Sequence, residues 1–130
     1  MRSFLSLVIL VFSIGATAVE PKDVEVSNWK VKMMDNAQFF ILFRGTMSIN
    51  KNSGTLFSED GKKGSLNNLH YSFLNNGNPL DSKTSILGTY SFDGDNGSFT
   101  FKFSPDAQTF EGTSKNSEGP ADIWSGTRIN

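Results

Sequence analysis

The most informative stretch of the chain is residues 85–103, SILGTYSFDGDNGSFTFKF. Near its end, Phe99, Phe101 and Phe103 alternate with small or charged residues, which is the pattern of a strand with one buried face. A cluster of Asp, Gly and Asn at 93–97 separates this strand from the preceding run, and such clusters form tight turns. The stretch therefore predicts a β-hairpin, with 85–92 as its first strand.

The chain after residue 23 repeats this arrangement of short alternating runs and turn residues. The runs lie at 29–33, 38–49, 54–58, 69–74, 85–92, 98–103, 108–113 and 123–129. No part of this region shows a 3.6-residue period with helix caps. The pattern predicts a single all-β domain over 24–130, a small antiparallel up-and-down barrel of about eight strands, with a β-sandwich as the alternative.

The dipeptide Gly-Thr favours the barrel over the sandwich. It occurs at 45–46, 54–55, 88–89, 112–113 and 126–127. Glycine lets a strand bend or bulge, and threonine restores strand propensity beside it. A closed and strongly curved sheet needs such bends at intervals.

The first 18 residues have the layout of a secretory signal peptide. Arg2 supplies a positive charge, residues 4–14 are almost continuously apolar, and Ala16-Thr17-Ala18 is a small-x-small cleavage pattern. The apolar run is shorter than the roughly 20 residues that span a bilayer. We therefore expect a secreted or periplasmic protein with a loose leader at 19–23 and no membrane span after cleavage; an uncleaved anchor is the alternative.

Composition limits both stability and partners. The chain has no Cys, so disulfides and a lipid-modified cysteine are excluded, and its 12 Phe must supply much of the core. The 12 Lys and Arg and 13 Asp and Glu are scattered, with only Lys62 and Lys63 adjacent among the bases. The sequence shows no basic stripe of the kind that nucleic acids or anionic membranes require, so we predict no nucleic-acid partner.

No catalytic or metal-binding motif stands out. His70 is the single histidine and has neither a nucleophile nor an orienting acid beside it. Residues 93–97 resemble a calcium loop, but position 12 of such a loop would be Ser104, so a hairpin turn is the better interpretation. Glu111 would mark a site only if it faced inward. We predict no cofactor, no metal and no catalytic residues.

The aromatic residues can form a filled core or line a pocket in the barrel mouth. The candidates for a ligand-binding lining are Trp29, Phe39, Phe43, Tyr71, Tyr90, Phe99, Phe101 and Trp124. We expect an exported, non-enzymatic binding module for a small apolar ligand or an extracytoplasmic partner protein. The alternatives are an inhibitor or immunity-type protein whose leader enters an enzyme's cleft, and a small hydrolase that uses His70 or Glu111.

The overall plan resembles the calycin group, which comprises lipocalins, fatty-acid-binding proteins and avidins. Trp29 opens the first predicted strand and Arg128 closes the last. The resemblance implies that this guanidinium stacks on the indole and closes one barrel end. Lipocalins have Gly two residues before this Trp, whereas this chain has Ser27. The tail over 106–128, which ends Trp-x-Gly-Thr-Arg, also resembles small secreted bacterial β proteins of unassigned function, and implies a fold without implying any chemistry.

Overall fold

A computed structural model of the protein describes residues 24–74 and 83–130. Within these ranges, eight antiparallel strands form a closed barrel in which neighbours in sequence are paired and β1 closes on β8. The prediction of an all-β up-and-down barrel is confirmed, and the sandwich is excluded. The strands are β1 Val26–Met34, β2 Ile41–Asn50, β3 Ser53–Ser58, β4 Lys63–Leu74, β5 Lys83–Phe92, β6 Asp95–Phe103, β7 Thr109–Lys115 and β8 Asp122–Arg128.

The two ends of the barrel are named here by residues of β8. The Arg128 end is where β1 begins and β8 ends. The Asp122 end is where β8 begins, and it includes the β1–β2, β3–β4, β5–β6 and β7–β8 connections. The predicted signal peptide, the leader and the Asn-rich loop at 75–79 lie outside the described residues.

Aromatic rings fill the interior. Trp29 meets Phe103 and Phe110 edge-on, with ring centroids 5.1 and 5.5 Å apart. Farther along the barrel, Phe101 lies 5.3 Å from Trp124. Such aromatic pairs add to the free energy gained by burial alone. The interior between the two tryptophans is therefore packed with side chains.

Glycines let the sheet coil tightly enough to close. A Cβ atom at Gly45 would lie 1.9 Å from the carbonyl oxygen of Phe57, and one at Gly126 would lie 2.1 Å from the Phe110 ring. Both glycines belong to the Gly-Thr dipeptides of the sequence. The backbone of the neighbouring strand at Gly45 and the Phe110 ring at Gly126 leave no room for a side chain.

Most strand boundaries differ from the sequence prediction by a few residues, and the differences at β4, β2 and the β5–β6 turn have a clear structural description. β4 begins at Lys63 instead of 69, and a bulge at Asn68, with φ of 56°, shifts its register against β5. β2 begins at 41 instead of 38. The β5–β6 turn is shorter than 93–97, because Asp93 and Gly94, with φ of 51° and 84°, form a two-residue turn of the type that hairpins favour.

Candidate functional site

The structure divides the predicted aromatic lining between the core and the surface. The members in the buried core are Trp29, Phe43, Tyr90, Phe99, Phe101 and Trp124. Tyr71 is partly buried against that core, whereas Phe39 lies in the β1–β2 connection and is 79% exposed. The set does not surround a single hollow; Phe43, Tyr90 and Trp124 also border a cavity at the Asp122 end.

Trp29 and Arg128 meet at the Arg128 end. They are register partners across β1 and β8, and the guanidinium carbon lies 5.6 Å from the indole centroid. Arg128 also donates hydrogen bonds from Nε to the Asn130 carbonyl at 2.9 Å and from Nη1 to the Ala107 carbonyl at 3.3 Å. Stacking and hydrogen bonding thus cover the indole at this end.

Ser27 has a role at this end that the sequence analysis missed. Its buried Oγ accepts a hydrogen bond from the Trp29 indole N–H at 2.8 Å and donates one to the Val24 carbonyl at 2.7 Å. A buried indole N–H needs such an acceptor. A small hydroxyl two residues before a strand tryptophan is the sequence signal that could have predicted this contact.

An open cavity of about 250 Å³ lies at the Asp122 end. Its apolar lining is contributed by five strands and consists of Met33, Leu42, Phe43, Leu56, Phe92 and Trp124. Its polar lining consists of Tyr90, Asp93, Asp95 and Asp122. We call this space the mouth cavity. An apolar wall with a few convergent polar groups is the usual composition of a small-molecule site.

Three aspartate carboxylates give the mouth cavity a negative rim. Asp95 accepts hydrogen bonds from the Tyr90 hydroxyl at 3.0 Å and from the Asn116 amide at 2.9 Å. Burial, and then the nearby Asp95 and Asp35 carboxylates, raise the pKa of Asp122. Burial and the hydrogen bond to Asp95 raise the pKa of Tyr90 to about 12. The rim is therefore suited to a hydrogen-bond donor or a positive charge.

Beside the mouth cavity, four consecutive apolar residues face solvent, and we call them the Phe39–Leu42 segment. Phe39 is 79% exposed, Phe40 68% and Leu42 49%. The Asp35 carboxylate accepts hydrogen bonds from the backbone N–H groups of Phe39 at 2.7 Å and Phe40 at 2.8 Å. These bonds fix the backbone of the connection while the two rings point away from the core. Contiguous exposed apolar side chains of this size are typical of interaction surfaces.

A second concave surface lies on the outside of the barrel, and we call it the basic groove. It has a volume of about 910 Å³. Its charged lining consists of Lys30, Lys32, Arg44, Lys83 and Lys102, together with Glu59 and Glu111. The sequence scatters these bases, but the barrel brings outward-facing positions of different strands side by side. The folded chain thus brings together bases that are scattered in the sequence.

The remaining candidates lie apart from the mouth cavity. His70 is exposed on β4, and Glu111 is exposed on β7, where it faces the basic groove. No group of three or more His, Cys, Asp or Glu side chains in residues 24–74 and 83–130 is placed to hold a metal ion. The same part of the chain contains no helix that is long and apolar enough to cross a membrane.

No protein-family model, no curated protein and no solved structure matches the chain. The likeness to the calycin group thus remains a resemblance, based on the residues given above and the up-and-down strand order.

Proposed function

We propose that the protein is an exported, non-enzymatic binding module that holds a small, largely apolar ligand in the mouth cavity. The observation that supports this most is an apolar cavity, open to solvent, at one end of a barrel whose interior is otherwise packed. At about 250 Å³ the cavity lies just below the usual range of ligand sites. It therefore suits a small molecule or one end of a longer one.

The rim adds a preference for charge. A ligand whose buried part contacts Phe43 and Trp124 would place its outer end beside Asp95 and Asp122. Carboxylates in a partly desolvated site favour ammonium groups and other donors, and aromatic faces attract cations as well. We expect ligands with an apolar body and a cationic or donor head group to bind more tightly than anionic ones.

A fluorescent probe tests this proposal. N-phenyl-1-naphthylamine, which is neutral and apolar, should bind saturably, and dodecyltrimethylammonium should displace it more effectively than dodecyl sulfate. Leu42→Arg should abolish probe binding, because it places a long charged side chain at the cavity. Leu87→Arg is the matched control, since Leu87 is equally apolar and similarly exposed, at 46%, but lies outside the cavity lining. Equal binding by both variants, or no binding by the wild type, would overturn the proposal.

A partner protein is the second candidate, and the Phe39–Leu42 segment favours it. Hydrogen bonds to Asp35 fix the backbone from which the two exposed rings project, and the rings present an apolar contact surface. The double substitution Phe39→Ser, Phe40→Ser should abolish association with a purified extracytoplasmic partner while probe binding in the mouth cavity persists. Unchanged association would rule out this segment as the contact.

The inhibitor and hydrolase alternatives remain predictions. The leader that would enter an enzyme's cleft lies outside the described residues. His70 and Glu111 do not line the mouth cavity. Alanine at either position should leave probe binding unchanged.

A further inference from the structure

We propose that the basic groove binds an acidic polysaccharide, one that carries sulfate or carboxylate groups along its length. This site is separate from the mouth cavity and does not depend on the function proposed for that cavity. Five bases and two acids line the groove. The chain as a whole has a net charge of −1, so the positive potential is a local property of this face.

The strand register concentrates like charge where a stable sheet would avoid it. Lys32 lies directly opposite Arg44 in the β1–β2 pairing, and Lys30 follows on the same face of β1. Like charges directly opposite each other on a sheet are destabilising. An anion bound between these side chains would attract both of them and offset their mutual repulsion. Anion binding would therefore explain why two bases face each other here.

Within residues 24–74 and 83–130, the bases of the groove have no counter-ion at 4.0 Å or less. Among the described residues, no ion pair at 4.0 Å or less involves Lys30, Lys32, Arg44 or Lys102. Lys102 faces Glu111 across β6 and β7, yet the two side chains do not meet at that distance. Their donors are available for the oxygens of an external anion.

The shape of the groove fits an extended polymer. Its lining reaches from Arg44 on β2, across β1, β8, β7 and β6, to Lys83 on β5. Measured along the curved outer surface of the barrel, five strand spacings correspond to about 24 Å. A single bound ion would need only one or two of these bases, whereas a chain of anionic sugars can reach all of them.

The floor of the groove favours a polysaccharide over a nucleic acid. Ser125, Thr127 and Thr109 contribute short hydroxyl side chains that can donate to sulfate, carboxylate or sugar oxygens. Phe103 and Phe110 border the groove, but both are buried with their rings in the core. Single-stranded nucleic acids are held by stacking on exposed aromatic rings, which this groove does not offer within the described residues.

Retention of the purified protein on immobilised heparin, a sulfated polysaccharide, tests the proposal. The wild type should be retained and should elute with salt, because the contacts are electrostatic. The double substitution Lys32→Gln, Arg44→Gln should weaken binding by about tenfold or more. Lys51→Gln, Lys115→Gln is the matched control, since it removes the same charge from exposed residues outside the groove.

The control arms separate the groove from the mouth cavity and from other polyanions. Leu42→Arg should leave heparin retention intact, so the two sites can fail independently. Thermal unfolding checks that the glutamine variants fold; removal of the Lys32–Arg44 repulsion should leave stability equal or higher. Equal loss in both double variants would overturn the proposal. So would tighter binding to single-stranded DNA or to anionic vesicles than to heparin.

Discussion

At each end of the barrel a buried tryptophan donates its indole N–H to a buried serine. Trp29 donates to Ser27 at 2.8 Å, and Trp124 donates to Ser114 at 2.7 Å. At the Arg128 end a guanidinium then covers the indole. At the Asp122 end the second indole borders the mouth cavity. A tryptophan with the same hydrogen bond therefore belongs to a closed core at one end and to a cavity wall at the other. The difference is Arg128, which covers Trp29.

Replacement of the tryptophans should give the largest difference between the ends. Trp29→Ala should lower the free energy of unfolding by about 3–5 kcal/mol, because it leaves a hole among Phe103, Phe110 and Arg128. Trp124→Ala should fall at the low end of that range, since part of its ring already borders the mouth cavity instead of packed side chains. Urea unfolding followed by circular dichroism measures both. A larger loss for Trp124→Ala would contradict the comparison.

The serines provide a smaller and sharper test. Ser27→Ala should cost about 1–3 kcal/mol, since it leaves both the indole N–H and the Val24 carbonyl without a partner. Ser114→Ala should cost less, because besides the N–H of Trp124 it leaves only the Met33 sulfur, a weak acceptor, without its partner. The same unfolding measurement decides, and a larger loss for Ser114→Ala than for Ser27→Ala would overturn this ranking.

One tyrosine near each end reports on its surroundings at alkaline pH. Burial, and then the Glu25 charge, raise the pKa of Tyr71 to about 12, and burial with Asp95 raises that of Tyr90 to about 12. Because folding favours the neutral phenols, stability should fall as pH rises above 10, where unfolded tyrosines ionise. Asp95→Asn should lower the pKa of Tyr90 part of the way and leave Tyr71 unchanged.

Tyrosinate absorbance of the folded protein follows this titration. Tyr71 and Tyr90 are the two tyrosines of the chain, so the tyrosinate absorbance comes from these two residues alone. A transition near 10 in the folded state would contradict the burial of both rings.

The smallest effects, of opposite sign at the two ends, come from two aspartates. Burial and nearby carboxylates raise the pKa of Asp122, so Asp122→Asn should stabilise the protein at neutral pH, by at most about 1 kcal/mol. The gain should disappear as pH falls below 3.8, where the carboxyl is protonated in both states. The hydrogen bond from Ser104 lowers the pKa of Asp106, so Asp106→Asn should destabilise at neutral pH. Thermal unfolding at several pH values checks both signs.

The barrel was predictable because its signals are local. Alternation at Phe99, Phe101 and Phe103 and the turn at 93–94 each lie within a few residues. The sequence prediction placed Phe39 in a strand because Phe39, Ile41 and Phe43 alternate with their neighbours as strand residues do. In the structure, the backbone N–H groups of residues 39 and 40 donate to the Asp35 carboxylate instead of to a neighbouring strand, so this part of the chain is a loop. The alternation of apolar residues does not reveal such hydrogen bonds.

The basic groove was not predictable because it depends on register across several strands. Lys32 and Arg44 face each other only when the β1–β2 connection has its observed length. Lys102 joins them only after β1 has closed on β8. A one-residue slip in either pairing would turn the side chains to the opposite face. The mouth cavity has the same origin, since five strands contribute its apolar wall.

The pairing of β1 with β8 also determines when the protein can fold. It joins segments as far apart as Asn28 and Asn130, which are 102 positions apart and hydrogen-bonded to each other. During synthesis from the N-terminus, β1 and β7 are unpaired edge strands until residues 122–128 have been made. Unpaired edge strands can pair with other chains and aggregate. Contacts this distant form slowly. Loss of β8 would therefore leave an open sheet that is prone to aggregation. The pairing of β8 with β1 and β7 thus prevents aggregation of the whole barrel.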